Sequence, residues 1–132
     1  MNVLDKETQA HWAEIAPILS IGNERQYDRA VKHLNQLLDE IGDDQRHPLY
    51  GLLDALGAVI HAYEETHHTF PKASGRQMLR FLMDEHGLSQ SDLLEIGSQG
   101  VLSEILQGRR KLNARQIAVL ADRFGVSPAV FF

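Results

Sequence analysis

The residues with the clearest potential for chemistry lie in the stretch EIGSQGVLSEILQGRRK, residues 95–111. In a helix, the apolar residues of this stretch would lie on one side, and small or amide-bearing residues would lie on another. The second side consists of Gln99, Gly100, Ser103 and Gln107. Such groups form hydrogen bonds with the edges of DNA bases, and glutamine suits adenine in particular. Three cations follow that could bind backbone phosphates, namely Arg109, Arg110 and Lys111. The pattern predicts a helix that enters the major groove of double-stranded DNA.

Two short helices on either side of Gly97 would position these side chains. Ser89 with Asp92 predicts the start of the first helix, and Ser98 caps the second. Gly108 is a typical stop signal for the second helix. Two short helices joined by a tight glycine turn make a helix-turn-helix unit. Helix starts offer further N–H groups to phosphates, here at Ser89, Gln90 and Asn113.

Helical periodicity and capping signals extend along the whole chain and predict an all-α fold. Residues 74–132 contain five compact helical segments separated by glycines, which indicates a small helical domain. The stretch around Pro71 has little periodicity and is the candidate linker. We therefore predict an N-terminal helical region (1–66), a linker (67–73) and a helix-turn-helix domain (74–132).

Composition limits the possible functions. The chain of 132 residues has no cysteine, which excludes disulfides, thiolate zinc sites and a cysteine nucleophile. It has no basic-apolar leader and no apolar run near the roughly 20 residues that span a bilayer. A cytoplasmic protein that does not contact a membrane is therefore expected.

The net charge of −5 is unevenly distributed. Residues 1–73 contain six Lys/Arg and twelve Asp/Glu, a balance of −6, whereas residues 74–132 have a balance of +1. This asymmetry favours different partners for the two halves, although acidic residues can also simply solubilise exposed helices.

Two further sets of residues are possible sites. The histidines His61, His67 and His68 lack the spacing of three or four that places helical metal ligands together. No Gly-rich phosphate loop or nucleophile elbow accompanies them, so neither an enzyme nor a metal or cofactor is expected. Trp12 and Tyr27 are either interface anchors or part of the N-terminal core.

The second half of the chain resembles the lambda-repressor-like (XRE-type) helix-turn-helix domains of bacterial regulators. The motifs GLSQSDL, VLSEILQGRRKLN and LADRFGVSPAVFF carry this resemblance. A longer resemblance is to the HigA-type antitoxins of type II toxin–antitoxin modules. It includes IGSQGVLSEILQGRRKL together with NERQYDRAVKHLNQLLDEIGDD and HPLYGLLDALGAVIHAYEE in the first half.

The resemblance implies a homodimeric repressor of its own operon that also silences a basic HigB-type toxin, a ribosome-dependent mRNA endonuclease. By position, Ser89 and Gln90 would contact phosphate. The groove would be lined by Ser98, Gln99, Gly100 and Ser103. The N-terminal helices would face the toxin or form the dimer, and an acidic first half suits a basic partner.

Glu104 departs from the basic or neutral residue that relatives commonly carry on the recognition helix. Near phosphates its charge would be repulsive, whereas over a cytosine amine it would form a contact. Two alternatives to the antitoxin stay open. One is a stand-alone XRE-type transcription regulator without a toxin. The other, which Glu104 alone supports, is a protein-interaction module whose helix-turn-helix does not read DNA.

Overall fold

The protein consists of helices joined by short loops. The computed structural model describes residues 4–68 and 72–132, and every regular element in these ranges is helical. The α-helices are α1 (Lys6–Leu19), α2 (Glu24–Ile41), α3 (Tyr50–His67), α4 (Gly75–Glu85), α5 (Gln99–Leu106) and α6 (Ala114–Phe124). Two 3₁₀ helices lie in the second half, at Gln90–Leu93 and Pro128–Phe131. The predicted all-α fold is confirmed. None of the helices in the two described ranges is long and apolar enough to cross a membrane.

Reciprocal side-chain caps begin two helices of the second half. The Ser74 hydroxyl accepts a hydrogen bond from the backbone N–H of Gln77, whose side chain accepts one from the Ser74 N–H. Asn113 and Gln116 form the same pair at the start of α6. These local bonds satisfy amides that lack partners inside a helix and form a capping box at both sites.

Helix α2 is the central element of the core. It packs against α3, α6 and the second 3₁₀ helix. Its buried stripe consists of Tyr27, Ala30, Leu34, Leu37, Leu38 and Ile41. Both predicted regions therefore contribute to one hydrophobic core. The predicted linker, residues 67–73, falls partly outside the described residues.

Helix α1 lies on the surface of this core and has no buried residue of its own. Trp12 is 56% exposed and Ile15 is 40% exposed. Tyr27, by contrast, is buried in the core. The sequence left the roles of these two aromatic residues open. Tyr27 is a core residue, and Trp12 is exposed to solvent.

Two glycines allow elements to approach closely at the end of the chain. A Cβ atom on Gly57 of α3 would lie 2.2 Å from the ring of Phe132. A Cβ atom on Gly75 would lie 2.1 Å from the backbone carbonyl oxygen of Phe131. Both distances are far below van der Waals contact, so the packing of the last residues requires glycine at both positions.

We expect Gly75→Ala to lower the free energy of unfolding by about 1–3 kcal/mol, because a backbone carbonyl cannot rotate away from the new methyl group. Gly51→Ala is the matched control, since no atom lies within 4 Å of a Cβ there. Gly51 is in the first turn of α3, where alanine also favours the helix, so this change should raise the free energy of unfolding by less than about 1 kcal/mol. Urea titration followed by circular dichroism measures both. Shifts of the same sign would contradict the close approach.

Candidate nucleic-acid interface

The candidate interface is built on the first 3₁₀ helix (Gln90–Leu93), the turn at Gly97 and α5. Helix α5 packs against α4 and this 3₁₀ helix. The apolar side of α5 is buried and consists of Leu102, Ile105 and Leu106. Ser98 caps α5, because its hydroxyl accepts a hydrogen bond from the N–H of Val101 at 3.3 Å. These contacts fix the side of α5 that faces outward.

The polar side of α5 faces solvent. Gln99, Gly100 and Gln107 are exposed, and Ser103 is partly exposed. The Gln107 side-chain amide donates a hydrogen bond to the Ser103 hydroxyl at 3.1 Å. Ser98 is also exposed, although its hydroxyl is engaged in the cap. The side chains predicted to face DNA bases are therefore brought together on one surface that the protein's own interior does not cover.

The three predicted phosphate-binding cations follow α5 and are all exposed. Gly108 precedes them with φ of 78°, a left-handed conformation that ends the helix and favours glycine. The Arg110 Nε atom lies 2.8 Å from the Glu104 carboxylate, and the two side chains are 50% and 45% exposed. Within the described residues, Arg109 and Lys111 have no ion pair. Glu104 thus partly neutralises this cluster.

The other predicted phosphate contacts lie at helix starts. The backbone N–H of Ser89 donates to the Asp92 carboxylate at 2.8 Å, and that of Asn113 donates to the Gln116 side chain at 2.9 Å. Gln90 is partly buried. The bonds from Ser89 lower the pKa of Asp92, which keeps a negative charge beside this helix start. A phosphate there would have to rely on neighbouring amides or on the Gln90 side chain.

The turn at Gly97 is also held by long-range hydrogen bonds from α6, which the sequence does not predict. Arg115 of α6 donates to the backbone carbonyls of Glu95 and Ile96, both at 3.3 Å. The buried Gln116 side chain also donates to the Ile96 carbonyl, at 3.0 Å. Arg123 forms an ion pair with Glu95. These residues position the start of α5 from α6, and no local sequence signal marks them.

His61 and His67 form structural contacts. His61 places Nδ1 at 2.8 Å from the Ala129 carbonyl and Nε2 at 2.7 Å from the Glu65 carboxylate, so it connects α3 to the second 3₁₀ helix. His67 stacks on Tyr63 with ring centroids 4.0 Å apart. In the ranges that the structure covers, no three His, Asp or Glu residues are grouped as metal ligands.

Helix α5, with its buried apolar side and solvent-facing polar side, defines a helix-turn-helix protein of the lambda-repressor-like class. Residues 79–131 match the helix-turn-helix family model, and residues 3–73 match the N-terminal domain of the HigA antitoxin. Antitoxin HigA of Escherichia coli (strain K12), of Escherichia coli O6:H1 (strain CFT073) and of Shigella flexneri are each 40% identical over 126 residues. These alignments cover 89% of this chain and 87% of each relative. The chain belongs to the HigA antitoxin family of DNA-binding helix-turn-helix regulators.

Proposed function

We propose that the protein neutralises a HigB-type mRNA endonuclease toxin and represses its own operon through sequence-specific DNA binding. The observation that carries the DNA-binding part is the solvent-facing polar side of α5 followed by exposed cations. Bases would be contacted by Ser98, Gln99, Gly100, Ser103 and Gln107. Phosphates would be contacted by Ser89, Gln90, Arg109, Arg110, Lys111 and Asn113. A homodimer would place two copies of α5 in successive major grooves, about 34 Å apart.

The first half of the chain supports the toxin-binding part of the proposal. Residues 1–73 have a charge balance of −6, which would favour and accelerate association with a basic toxin. Helix α1 exposes Trp12 and Ile15, and exposed apolar residues of this size are typical anchors of protein interfaces. We therefore assign toxin binding or dimerisation to residues 1–66 and DNA binding to residues 74–132.

Co-expression with the product of the adjacent reading frame tests the toxin-binding part, and a mobility shift on the protein's own promoter tests repression. We expect a complex that survives purification and a shift that weakens with added salt. A promoter shift without any co-purifying partner would instead identify a stand-alone regulator. A stable complex without a shift would identify an interaction module that does not read DNA.

The Glu104–Arg110 ion pair leads to a further prediction. Glu104→Gln should strengthen promoter binding by about tenfold and steepen its salt dependence, because it removes a negative charge and releases Arg110 toward phosphate. Fluorescence anisotropy at several salt concentrations measures both effects. Glu14→Gln, an exposed carboxylate on α1, is the control and should leave binding unchanged. Weaker binding by the Glu104 variant would mean that the carboxylate contacts a base instead.

A further inference from the structure

A cleft of about 760 Å³ opens between α3, the start of α4 and the loop that follows α5. The partly exposed Leu112 and Phe132 contribute apolar surface to it. Arg76, Arg110 and Lys111 contribute positive charge. A concave site of this volume with an apolar lining and a few convergent polar groups is typical of small-molecule sites.

The charge of the cleft is strongly one-sided. Among the side chains of its described lining residues, Asp54 has the one carboxylate, against three cations. A Cβ atom on Gly108 would lie 2.6 Å from Nη1 of Arg76, so this guanidinium rests against the loop after α5. Arg76 and Lys111 have no ion pair in the described part of the chain. Two of the three cations are thus available to an anion in the cleft.

Tyr50 supplies a neutral hydrogen-bond donor at the same cleft. Burial, together with the nearby Asp54 carboxylate, raises the pKa of its phenol above the ordinary value of 10.0. The hydroxyl therefore stays protonated at neutral pH and can donate to an anionic group.

We propose that this cleft binds a small organic anion with an aromatic or branched apolar body, and that this binding opposes DNA binding. The charged group would meet Arg76 and Lys111, while the apolar body would lie on Leu112 and Phe132. Charge complementarity favours this occupant, because a neutral or cationic ligand would leave the cations unpaired. Lys111 also belongs to the cations proposed to hold phosphates, so ligand and DNA would compete for it. That competition rests on the proposed DNA binding, whereas occupation of the cleft does not.

The probe for the test is 1-anilinonaphthalene-8-sulfonate, which combines one sulfonate with an aromatic body and fluoresces in apolar sites. We expect saturable binding of one probe per full-length chain. Ala58 is exposed on α3 and lines the cleft, so Ala58→Trp should fill it and weaken binding at least about tenfold. Ala55→Trp, also exposed on α3 but outside the cleft, should leave binding unchanged. The double variant Arg76→Gln with Lys111→Gln should weaken binding about tenfold without altering the circular dichroism spectrum.

Two outcomes would overturn occupation of the cleft by a small anion. One is probe binding that none of these changes alters, or that Ala55→Trp weakens as much as Ala58→Trp. The other is a change in molar mass by light scattering on Ala58→Trp, which would mean that a second copy of the chain fills the cleft.

The competition is tested on the same protein with promoter DNA. Saturating probe should weaken promoter binding about fivefold, and saturating DNA should weaken probe binding by the same factor, because coupling between two sites is reciprocal. Independent binding of both would disprove the competition. A chain that binds the probe but no promoter would disprove the proposed DNA binding and leave the cleft assignment standing.

Discussion

Replacing both Gln99 and Arg110 by alanine will weaken binding to the protein's own promoter by at least about a hundredfold. Gln99 is exposed at the start of α5, where its amide can form two bonds with one base. Arg110 is proposed to add a phosphate contact, and its loss would also leave the Glu104 carboxylate without its cation. Fluorescence anisotropy at fixed salt gives the change in affinity, and a salt titration shows how many fewer phosphates the variant neutralises.

The matched control for this pair is Arg29→Ala with Gln36→Ala. Both residues are exposed on α2, so the same two side-chain types are removed away from α5. Promoter affinity should then stay within about twofold of the original value. Equal losses in the two double variants, or no loss in either, would mean that α5 does not read the operator.

The second large effect is expected at a buried carboxylate. Glu64 of α3 is only 2% exposed, and the Tyr27 hydroxyl donates to its Oε2 atom at 2.6 Å. Its other oxygen, Oε1, is buried without a hydrogen-bond partner. Tyr27→Phe should therefore lower the free energy of unfolding by about 3 kcal/mol, because it leaves a buried charged group with no bond at all.

Tyr63→Phe is a close control for this effect. The Tyr63 hydroxyl donates to Glu24 at the same distance, 2.6 Å. The Glu24 side chain, however, is 65% exposed and can be solvated when the bond is lost. A loss of at most about 1 kcal/mol is expected there. Adding Glu64→Gln to Tyr27→Phe should recover part of the larger loss, because a neutral amide is less costly to bury than a charge. Equal losses in the two tyrosine variants would contradict the role of burial.

The same tyrosines determine how stability changes at alkaline pH. Burial and the bond to Glu64 raise the pKa of Tyr27, and the bond to Glu24 raises the pKa of Tyr63 to about 12. A tyrosine whose pKa is higher in the folded state contributes its full stabilisation at pH values below the unfolded-state pKa of about 10. This contribution is lost as the pH rises through the folded-state pKa. Unfolding titrations from pH 9 to 12 should therefore show falling stability, with a shallower fall in Tyr27→Phe.

The fold was predictable because its signals are local. Asn113 and Gln116 stand three residues apart, so a capping box can be read directly from their spacing. The buried stripe of α2 follows the helical period in the same way. The packing of α2 against α6 was not predictable, since periodicity identifies a buried face without identifying what covers it.

The candidate site likewise has some features that the sequence predicts and others that it does not. The outward side of α5 follows from the spacing of its apolar residues. The Glu104–Arg110 pair depends on how the chain turns at Gly108, and Arg115 reaches carbonyls 19 and 20 residues away. The cleft is formed by α3 together with the loop after α5, so neither segment indicates it alone. Contacts between distant segments require the folded structure.

The shared core around α2 has a consequence for dissecting the molecule. A fragment that ends at residue 66 would expose the part of α2 that packs on α6, and a fragment that starts at residue 74 would expose the corresponding part of α6. Each fragment would then expose an apolar surface, so truncation cannot cleanly separate the two proposed activities. The halves should unfold in a single all-or-none step, so a partner that binds residues 1–66 would also stabilise residues 74–132.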